Sequence, residues 1–398
     1  MNQLSDRLNR LSPSATLAMS QKSQELKAQG VDVINMSVGE PDFNTPDAIK
    51  EAAIKAVNEN FSRYSPVPGY PALRNAIVEK LKNENGLEYT AAQISVSNGA
   101  KQSVCNVIMA LVNPGDEVIV PAPYWVSYPE MVKLADGTPV TMYAGIEQNF
   151  KITGAQLEAA ITPKTKMLIL CSPSNPTGSV YSREELKELA AVLAKYPNVF
   201  VVADEIYEHI NYIGRHESIA QFEEIRDRVI IVNGVSKAYA MTGWRIGYIA
   251  APLEVAKAAG NIQSHATSNP NSIAQKAAEA ALDLSKTFAK DMVEVFRERR
   301  EVMYKVLCEI ERFDVIKPQG AFYCFINVSA LYGMKYDDQT ITNAADFAKY
   351  LLEKEKVAII PCQDFGAPDC IRLSYAMSEE LIQKGLLRIK DFVSKLQA

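Results

Sequence analysis

The sequence predicts an α/β fold built around a largely parallel β-sheet. Short apolar runs rich in β-branched residues recur along the middle of the chain, and segments with helical periodicity separate them. This alternation is typical of βαβ units. The clearest strands are predicted at 166–171, 199–203 and 229–232, and a polar stretch follows each one. Ligands of open parallel sheets bind at the carboxyl ends of the strands, so these stretches are where we look for function.

Length and composition are typical of a globular protein with more than one domain. A chain of 398 residues predicts two or three domains. Hydrophobic residues make up 47% and charged residues 22%, as in ordinary globular proteins. The net charge of −5 gives no positive field for nucleic acid or an acidic membrane. No apolar run approaches the ~18 residues of a membrane span, and the first residues lack an apolar signal segment. We therefore expect a cytoplasmic protein that binds neither nucleic acid nor membrane.

Cysteine and histidine usage gives no sign of a disulfide framework or a metal site. The six cysteines form no CxxC pair and lie mostly in apolar segments, which indicates reduced, buried thiols. The three histidines lack the spacing of a zinc motif. We therefore predict no metal.

The first 45 residues are predicted to form an arm. They carry a helix at 16–29, a strand at 31–36 and the turn Gly39-Glu40-Pro41-Asp42. Helices at 46–60 and 71–85 follow, separated by a proline-rich loop that begins at Tyr64.

A possible phosphate-binding turn follows the strand at 94–96. Gly99, Ala100 and Lys101 lead into a helix at 103–112, and a glycine-led turn into a helix presents free N–H groups. Lys101 strengthens this weak signal, because a cation there opposes the helix dipole unless an anion is near. After the next strand, at 117–120, comes Trp125. Its ring could stack on a planar ligand or pack in the core.

Three consecutive strands are predicted to deliver Asn175, Asp204 and Lys237 to one edge of the sheet. A buried aspartate at a strand end is costly unless a cation pairs with it. Lys237, partly desolvated and near Arg245, would have a lowered pKa and could form a Schiff base with a carbonyl. The alternative is that Lys237 is an ordinary solvated loop lysine.

The C-terminal part is predicted to form a second, α+β unit. A charged helix leads into it, starting near 271 or after a kink near 285 and running to 306. Arg372 interrupts an apolar strand, and a buried guanidinium demands a carboxylate, either from a ligand or from a structural salt bridge. The other predicted elements are strands at 315–317, 320–325 and 357–361 and helices at 344–354 and 379–396.

The segment around the lysine resembles a known family signature. Ser236-Lys237 followed by Gly243-Trp244-Arg245-Ile246-Gly247 is similar to the signature of class I and II aminotransferases, the pyridoxal-phosphate enzymes of fold type I. The intervening Ala238-Tyr239-Ala240-Met241-Thr242 resembles the aspartate aminotransferase branch. Related motifs extend from Pro13 to Ala376. One position departs, because the family often has a phosphate-binding serine three residues before the lysine and Gly234 stands here; a backbone amide could substitute.

The resemblance implies an architecture and a cofactor. The fold would be a fold type I α/β transferase with a large, mainly parallel-sheet domain at 46–285 that binds pyridoxal 5′-phosphate. A smaller α+β domain would comprise 286–398 together with part of the arm at 1–45. The protein would be a homodimer with shared active sites, in which Tyr64 reaches the partner's cofactor.

The resemblance also implies roles for individual residues. Lys237 would hold the cofactor and act as general acid and base, and Asp204 would keep the pyridine nitrogen protonated. The remaining cofactor-binding residues would be Tyr64, Gly99, Ala100, Lys101, Trp125, Asn175, Tyr207, Ser236 and Arg245. Substrate would be bound by Gly39, Lys101, Trp125, Asn175 and Arg372.

The predicted reaction exchanges an amino group between aspartate or glutamate and a 2-oxo acid such as oxaloacetate or 2-oxoglutarate. Arg372 would bind the α-carboxylate and Lys101 the side-chain carboxylate, unless Lys101 only neutralises the cofactor phosphate. Three alternatives stay open: a broader specificity that includes aromatic amino acids or prephenate, a β-lyase of the same fold, and a non-catalytic module like those fused to DNA-binding regulators.

Overall fold

The computed structural model of the chain describes residues 5–13, 15–284 and 288–397. Its α-helices are α1 (Asp6–Asn9), α2 (Ala15–Ala28), α3 (Asp47–Asn58), α4 (Pro71–Lys80), α5 (Ala100–Leu111), α6 (Ser127–Leu134), α7 (Gly154–Ala160), α8 (Arg183–Leu193), α9 (Glu223–Arg226), α10 (Leu253–Ala266), α11 (Ser272–Asp283), α12 (Phe288–Cys308), α13 (Ala344–Glu355) and α14 (Glu379–Ser394). Its strands are β1 (Ile34–Asn35), β2 (Ile94–Ser97), β3 (Glu117–Ala122), β4 (Thr138–Tyr143), β5 (Thr165–Cys171), β6 (Phe200–Asp204), β7 (Val229–Gly234), β8 (Gly247–Ala250), β9 (Asp314–Val315), β10 (Tyr323–Asn327), β11 (Lys335–Tyr336), β12 (Gln339–Thr340), β13 (Val357–Ala358), β14 (Ile360–Pro361) and β15 (Cys370–Ser374).

The main sheet has seven strands in the order β2-β8-β7-β6-β5-β3-β4. Strand β8 is antiparallel to both of its neighbours, β2 and β7, and the other six strands run in the same direction. All six residues of β7 are buried, because helices cover both faces of the sheet. The predicted α/β class and mainly parallel sheet are confirmed, and the strands predicted at 166–171, 199–203 and 229–232 correspond to β5, β6 and β7.

Two strands of this sheet are absent from the sequence-based prediction. Strand β4 lies at the sheet edge, contains Pro139 and is mostly solvent-accessible, so it lacks the apolar run of a central strand. Strand β8 is only four residues long and begins with Gly247. Short or proline-containing strands give little periodicity to detect.

Several predicted boundaries are wrong. The strand predicted at 31–36 shrinks to the two residues of β1, and the helix predicted at 103–112 starts at Ala100. The helix predicted at 71–85 ends at Lys80 and continues as a π-helical turn, Leu81–Asn85. The charged helix is two helices, α11 ending at Asp283 and α12 beginning at Phe288, which agrees with the alternative start after a kink near 285. The proposed domain boundary at 285/286 lies outside the described residues.

A four-stranded antiparallel sheet, β14-β15-β10-β9, forms the centre of the C-terminal unit. The strand predicted at 320–325 begins later, at Tyr323, because Ala321 has φ +55° and cannot continue a strand. The N-terminal segment joins this unit through β1, which pairs in parallel with β13. A second hydrophobic core, separate from that under the main sheet, includes Phe296, Phe347 and Phe392.

The expectation of buried, reduced cysteines is only partly met. Cys324, Cys362 and Cys370 are buried free thiols, whereas Cys308 is exposed at the end of α12, so the expectation of buried thiols fails there. None of the helices in the described part of the chain combines the length and apolarity that crossing a bilayer requires.

A buried ion pair joins three elements below the main sheet's carboxyl edge. The Lys80 ammonium at the end of α4 contacts the Glu208 carboxylate, and both side chains are almost fully buried. The carboxylate also accepts from the side-chain amides of Asn85 (2.9 Å) and Asn233 (2.8 Å). Burial alone would raise the pKa of Glu208, but the charges of Lys80 and the neighbouring histidines lower it below its ordinary value. Glu208 therefore ties the loop after β6 to α4 and β7.

Removing the cation of this pair should destabilise the protein strongly. Lys80→Met leaves the Glu208 carboxylate buried without its cation, and we expect a loss of about 3–5 kcal/mol in the free energy of unfolding. Urea unfolding followed by circular dichroism measures it. Lys55→Met is the control, because Lys55 forms an exposed pair with Glu59 and should change stability little. Equal, small losses in both variants would show that the buried pair does not stabilise the fold as argued.

Candidate active site

A cavity of about 370 Å³ opens at the carboxyl ends of β5, β6 and β7. Parallel strands meet at this edge, so the polar residues that follow them converge there. Eleven of the thirteen residues predicted for the site line the cavity: Gly39, Ala100, Lys101, Trp125, Asn175, Asp204, Tyr207, Ser236, Lys237, Arg245 and Arg372. Of the other two, Gly99 lies against Arg245, and Tyr64 is 91% exposed and does not line the cavity.

Lys237 lies in the turn after β7 and borders the cavity. Its ammonium donates a hydrogen bond to the Gly39 carbonyl over 2.6 Å. Desolvation lowers the pKa of Lys237 to about 8; the Glu40 carboxylate opposes that shift, and Arg245 and Arg372 add to it. A solvated loop lysine would show none of this. The amine therefore loses its proton more readily than that of a solvated lysine, and the neutral form is the nucleophile.

Asp204 ends β6 and is 4% exposed. Its carboxylate accepts from the Tyr128 hydroxyl (2.7 Å) and from the Ile206 N–H (3.2 Å). Burial raises the pKa of Asp204 to about 6, although these two donors oppose the rise. No lysine, arginine or histidine of the described residues forms an ion pair with it. A buried carboxylate without a cation favours a cationic ligand in the cavity.

Arg372, in β15, is 2% exposed. Its guanidinium donates to the Asn175 side-chain carbonyl (2.8 Å) and to the Ser37 carbonyl (2.9 Å), and its Nε has no partner. The ring of Tyr323 lies 4.4 Å below it. Within the described residues no acid pairs with Arg372, so nothing supports the structural salt bridge considered above. A buried, acid-free guanidinium is a site for a carboxylate ligand.

The first turn of α5 forms the other end of the cavity. Gly99 has φ +82°, and a Cβ there would lie 2.2 Å from the Arg245 guanidinium. The turn thus brings Arg245 beside the N–H groups of Ala100 and Lys101, which have no acceptor within the helix. Free N–H groups at the positive end of a helix dipole, with a cation beside them, suit a phosphate.

The structure explains the departure at Gly234. Gly234 is in register with Gly247 of β8, and a Cβ on Gly234 would lie 2.7 Å from the Ile246 carbonyl oxygen. A Cβ on Gly247 would in turn lie 2.1 Å from the Ala100 nitrogen. A serine at 234 would push β8 and, through Gly247, the first turn of α5 out of place. Glycine is therefore required here by backbone packing.

Lys101 and Trp125 both line the cavity and contact each other. The Lys101 ammonium lies 4.8 Å from the centre of the Trp125 ring, a cation–π distance. Lys101 is exposed, but partial desolvation of its ammonium beside the cavity, and to a lesser extent the nearby Arg245, lowers the pKa of Lys101. Trp125 is half-buried and borders the cavity, so it is available to a ligand as well as packed on Tyr128.

Two tyrosines at the site were missed from the sequence. Tyr128 binds Asp204, and the Tyr323 hydroxyl lies 3.0 Å from that of Tyr207. Tyr323 also lines the gap between Gly39 and Arg372. Tyr323 belongs to β10 of the smaller sheet, and Tyr128 lies in the first turn of α6, further from its strand than Trp125. Their positions depend on packing between elements far apart in the chain.

This fold, with a cavity lined by a lysine, an aspartate and an arginine that form no ion pair within the described residues, is that of a pyridoxal-phosphate-dependent enzyme. Residues 31–389 match the model of the family "Aminotransferase class I and II", and the chain belongs to that family. Enzymes of this family depend on pyridoxal phosphate.

Relatives of this chain with similar full-length sequences carry a consistent name. A "Probable aspartate/prephenate aminotransferase" of Rickettsia bellii is 49% identical over 98% of both chains. An "Aspartate/prephenate aminotransferase" of Nitrosomonas europaea is 47% identical over 98% of this chain and 100% of its own.

Solved structures agree with this. The aspartate aminotransferase of Rhizobium meliloti is 41% identical, with a TM-score of 0.97 over the whole of both chains. The aspartate aminotransferase of Thermus thermophilus with maleate is also 41% identical, with a TM-score of 0.93 over 98% of this chain and 100% of its own.

Proposed function

We propose that this protein transfers the amino group between aspartate or glutamate and 2-oxo acids such as oxaloacetate or 2-oxoglutarate. The observation that carries the proposal is the acid-free, buried guanidinium of Arg372 in the same cavity as Lys237. The guanidinium provides a carboxylate site, and the lysine provides a neutral amine at the reacting end. Family membership favours transamination over the β-lyase and the non-catalytic module.

The cavity fits pyridoxal phosphate by its own chemistry. Asp204 lacks a cation that a protonated ring nitrogen would supply, and the first turn of α5 with Arg245 and Ser236 offers donors for a phosphate. Lys237 would hold the cofactor covalently through its amine, with Trp125 against its ring and Asn175 and Tyr207 near its hydroxyl. When bound, the cofactor supplies an electron sink that allows a bond at the substrate Cα to break.

The chain's own residues orient the substrate and move its proton. Arg372, fixed by Asn175 and by the Ser37 carbonyl, would fork the α-carboxylate and so fix the position of Cα. The Lys237 amine, once free, would take the Cα proton as general base and return it as general acid. Its pKa of about 8 suits both roles. The Tyr207 and Tyr323 hydroxyls, 3.0 Å apart, form the buried polar wall beside it.

Two cations at separate points of the cavity favour a substrate with two carboxylates. Arg372 can fork one carboxylate, and Lys101 is the second cation, with no acid partner among the described residues. The relative solved with maleate, itself a dicarboxylate, supports this. The relatives named for prephenate favour it as a further amino acceptor, since prephenate is a 2-oxo acid with a second carboxylate.

We further propose a homodimer in which Tyr64 completes the partner's site. Tyr64 is 91% exposed and does not line the cavity of its own chain. The role of Tyr64 comes from the family resemblance, and a side chain exposed on a proline-rich loop is free to reach a partner subunit. The cytoplasmic location stays a prediction from composition.

Substituting Lys101 tests the specificity. Lys101→Ser removes one charge-assisted hydrogen bond, worth roughly 1.5–3 kcal/mol, so kcat/KM for aspartate should fall by about 10- to 150-fold. Phenylalanine, which has no second carboxylate, should lose far less. Half-reactions followed by cofactor absorbance give both values, and Lys257→Ser, a surface change, is the control. Equal losses for the two amino acids would make Lys101 a phosphate ligand only.

Mixed dimers test the shared site. Tyr64→Phe and Lys237→Ala subunits are each impaired alone, but a hybrid of the two should regain one complete site, because Tyr64 of one subunit then meets Lys237 of the other. Co-expression with two affinity tags isolates the hybrid for aspartate kinetics. A hybrid whose only activity is that of the Tyr64→Phe protein would show that Tyr64 serves its own subunit.

A further inference from the structure

The Asp204 carboxylate is held by two donors from two different elements. The Tyr128 hydroxyl of α6 donates to one oxygen over 2.7 Å, and the Ile206 N–H donates to the other over 3.2 Å. One donor on each oxygen fixes the plane of the carboxylate. The Ile206 donor belongs to the backbone and is kept with any residue except proline at 206. The Tyr128 donor belongs to a side chain, so a substitution can remove it.

Tyr128 is itself fixed by its surroundings. It is 2% exposed, and its ring packs edge-on against Trp125 with 5.3 Å between ring centres. Burial raises the pKa of the Tyr128 phenol well above its ordinary value, and the Asp204 charge adds to this. The phenol therefore stays protonated at physiological pH and acts as the donor. Its ring cannot rotate away without disturbing the aromatic residue that borders the cavity.

A donor to a carboxylate stabilises the charged form and lowers its affinity for a proton. The effect is large in a buried site, where no water replaces a missing donor. If a protonated ring nitrogen faces Asp204, one proton is shared between nitrogen and carboxylate. The position of that proton depends on the relative basicity of the ring nitrogen and the carboxylate. The hydrogen bond from Tyr128 makes the Asp204 carboxylate less basic.

We propose that Tyr128 is a positioning residue that holds Asp204 oriented and anionic, so that the shared proton stays on the ring nitrogen of the cofactor. The inference rests on the proposed function, because it requires that pyridoxal phosphate binds in this cavity. Without the Tyr128 hydroxyl, the proton moves from nitrogen to the Asp204 oxygen and leaves a neutral pair. The electron sink is then weaker, although the cofactor remains bound by the contacts to its phosphate.

The test measures the protonation state of the cofactor's ring nitrogen by NMR. The apo-protein is reconstituted with pyridoxal phosphate labelled with ¹⁵N at the ring nitrogen, and its chemical shift distinguishes a protonated from a neutral nitrogen. The unsubstituted protein should give the protonated shift, and Tyr128→Phe should move it towards the neutral one. Tyr181→Phe is the control, because Tyr181 is equally buried but its hydroxyl accepts from the Ile152 N–H, away from Asp204.

Kinetics and a double variant complete the test. Tyr128→Phe should lower kcat by about tenfold, the effect of one pKa unit on the shared proton, and leave KM and cofactor affinity nearly unchanged. In an Asp204→Asn background, Tyr128→Phe should change neither the shift nor kcat further. A melting temperature near that of Tyr181→Phe shows that the variant is folded.

Three results would overturn the inference. These are a protonated shift retained in folded Tyr128→Phe, a neutral shift in the unsubstituted protein, and an equal effect of Tyr128→Phe with and without Asp204. Failure of the unsubstituted protein to bind the cofactor would instead overturn the proposed function, and this inference with it. A Tyr128→Phe protein that does not fold would show that the hydroxyl is needed for stability and would count against a role confined to the proton.

Discussion

Three charged side chains border one cavity without forming ion pairs with one another: Asp204 and Arg372 are buried, and Lys237 is partly buried. Buried charges left unpaired destabilise a fold by several kcal/mol each, so each must be held by neutral donors or acceptors until a ligand arrives. Asp204 has a phenol and a backbone N–H, Arg372 has an amide and a carbonyl, and Lys237 has the Gly39 carbonyl. The contrast is the buried pair of Lys80 and Glu208, in which a cation and a carboxylate contact each other directly.

The fold supplies the rigidity that such a site needs. Parallel strands β5, β6 and β7 set the spacing of the residues that follow them, and the ion pair at Glu208 ties the loop after β6 to β7. On the far side, Gly234, Gly247 and the Ala100 backbone touch directly, so the strand that leads to the lysine supports the turn suited to a phosphate. The same backbone contact excludes a serine at 234.

Sequence reasoning found the parts of the site that follow strands of the main sheet. Lys237 and Asp204 were predicted because apolar runs mark strand ends, and Arg372 because a guanidinium interrupts an apolar run. Tyr128 and Tyr323 were missed because their roles depend on contacts with Asp204 and Tyr207, which are far away in the chain. Such long-range contacts cannot be deduced from a single sequence. The start of β10 was misplaced because the turn that contains Ala321, which has a positive φ, was included in the strand.

Locating the covalent link to the cofactor shows whether Lys237 is the lysine that binds it. The protein is incubated with pyridoxal phosphate, reduced with borohydride, digested and analysed by mass spectrometry, with Lys237→Ala treated in parallel. We predict one pyridoxyl group, carried by Lys237, and none on the Lys237→Ala protein. The pKa of Lys237 is about 8, and its neutral amine is the reactive form. We therefore expect the rate of cofactor binding to Lys237 to increase as the pH rises towards 8. A label carried by any other lysine would contradict the account.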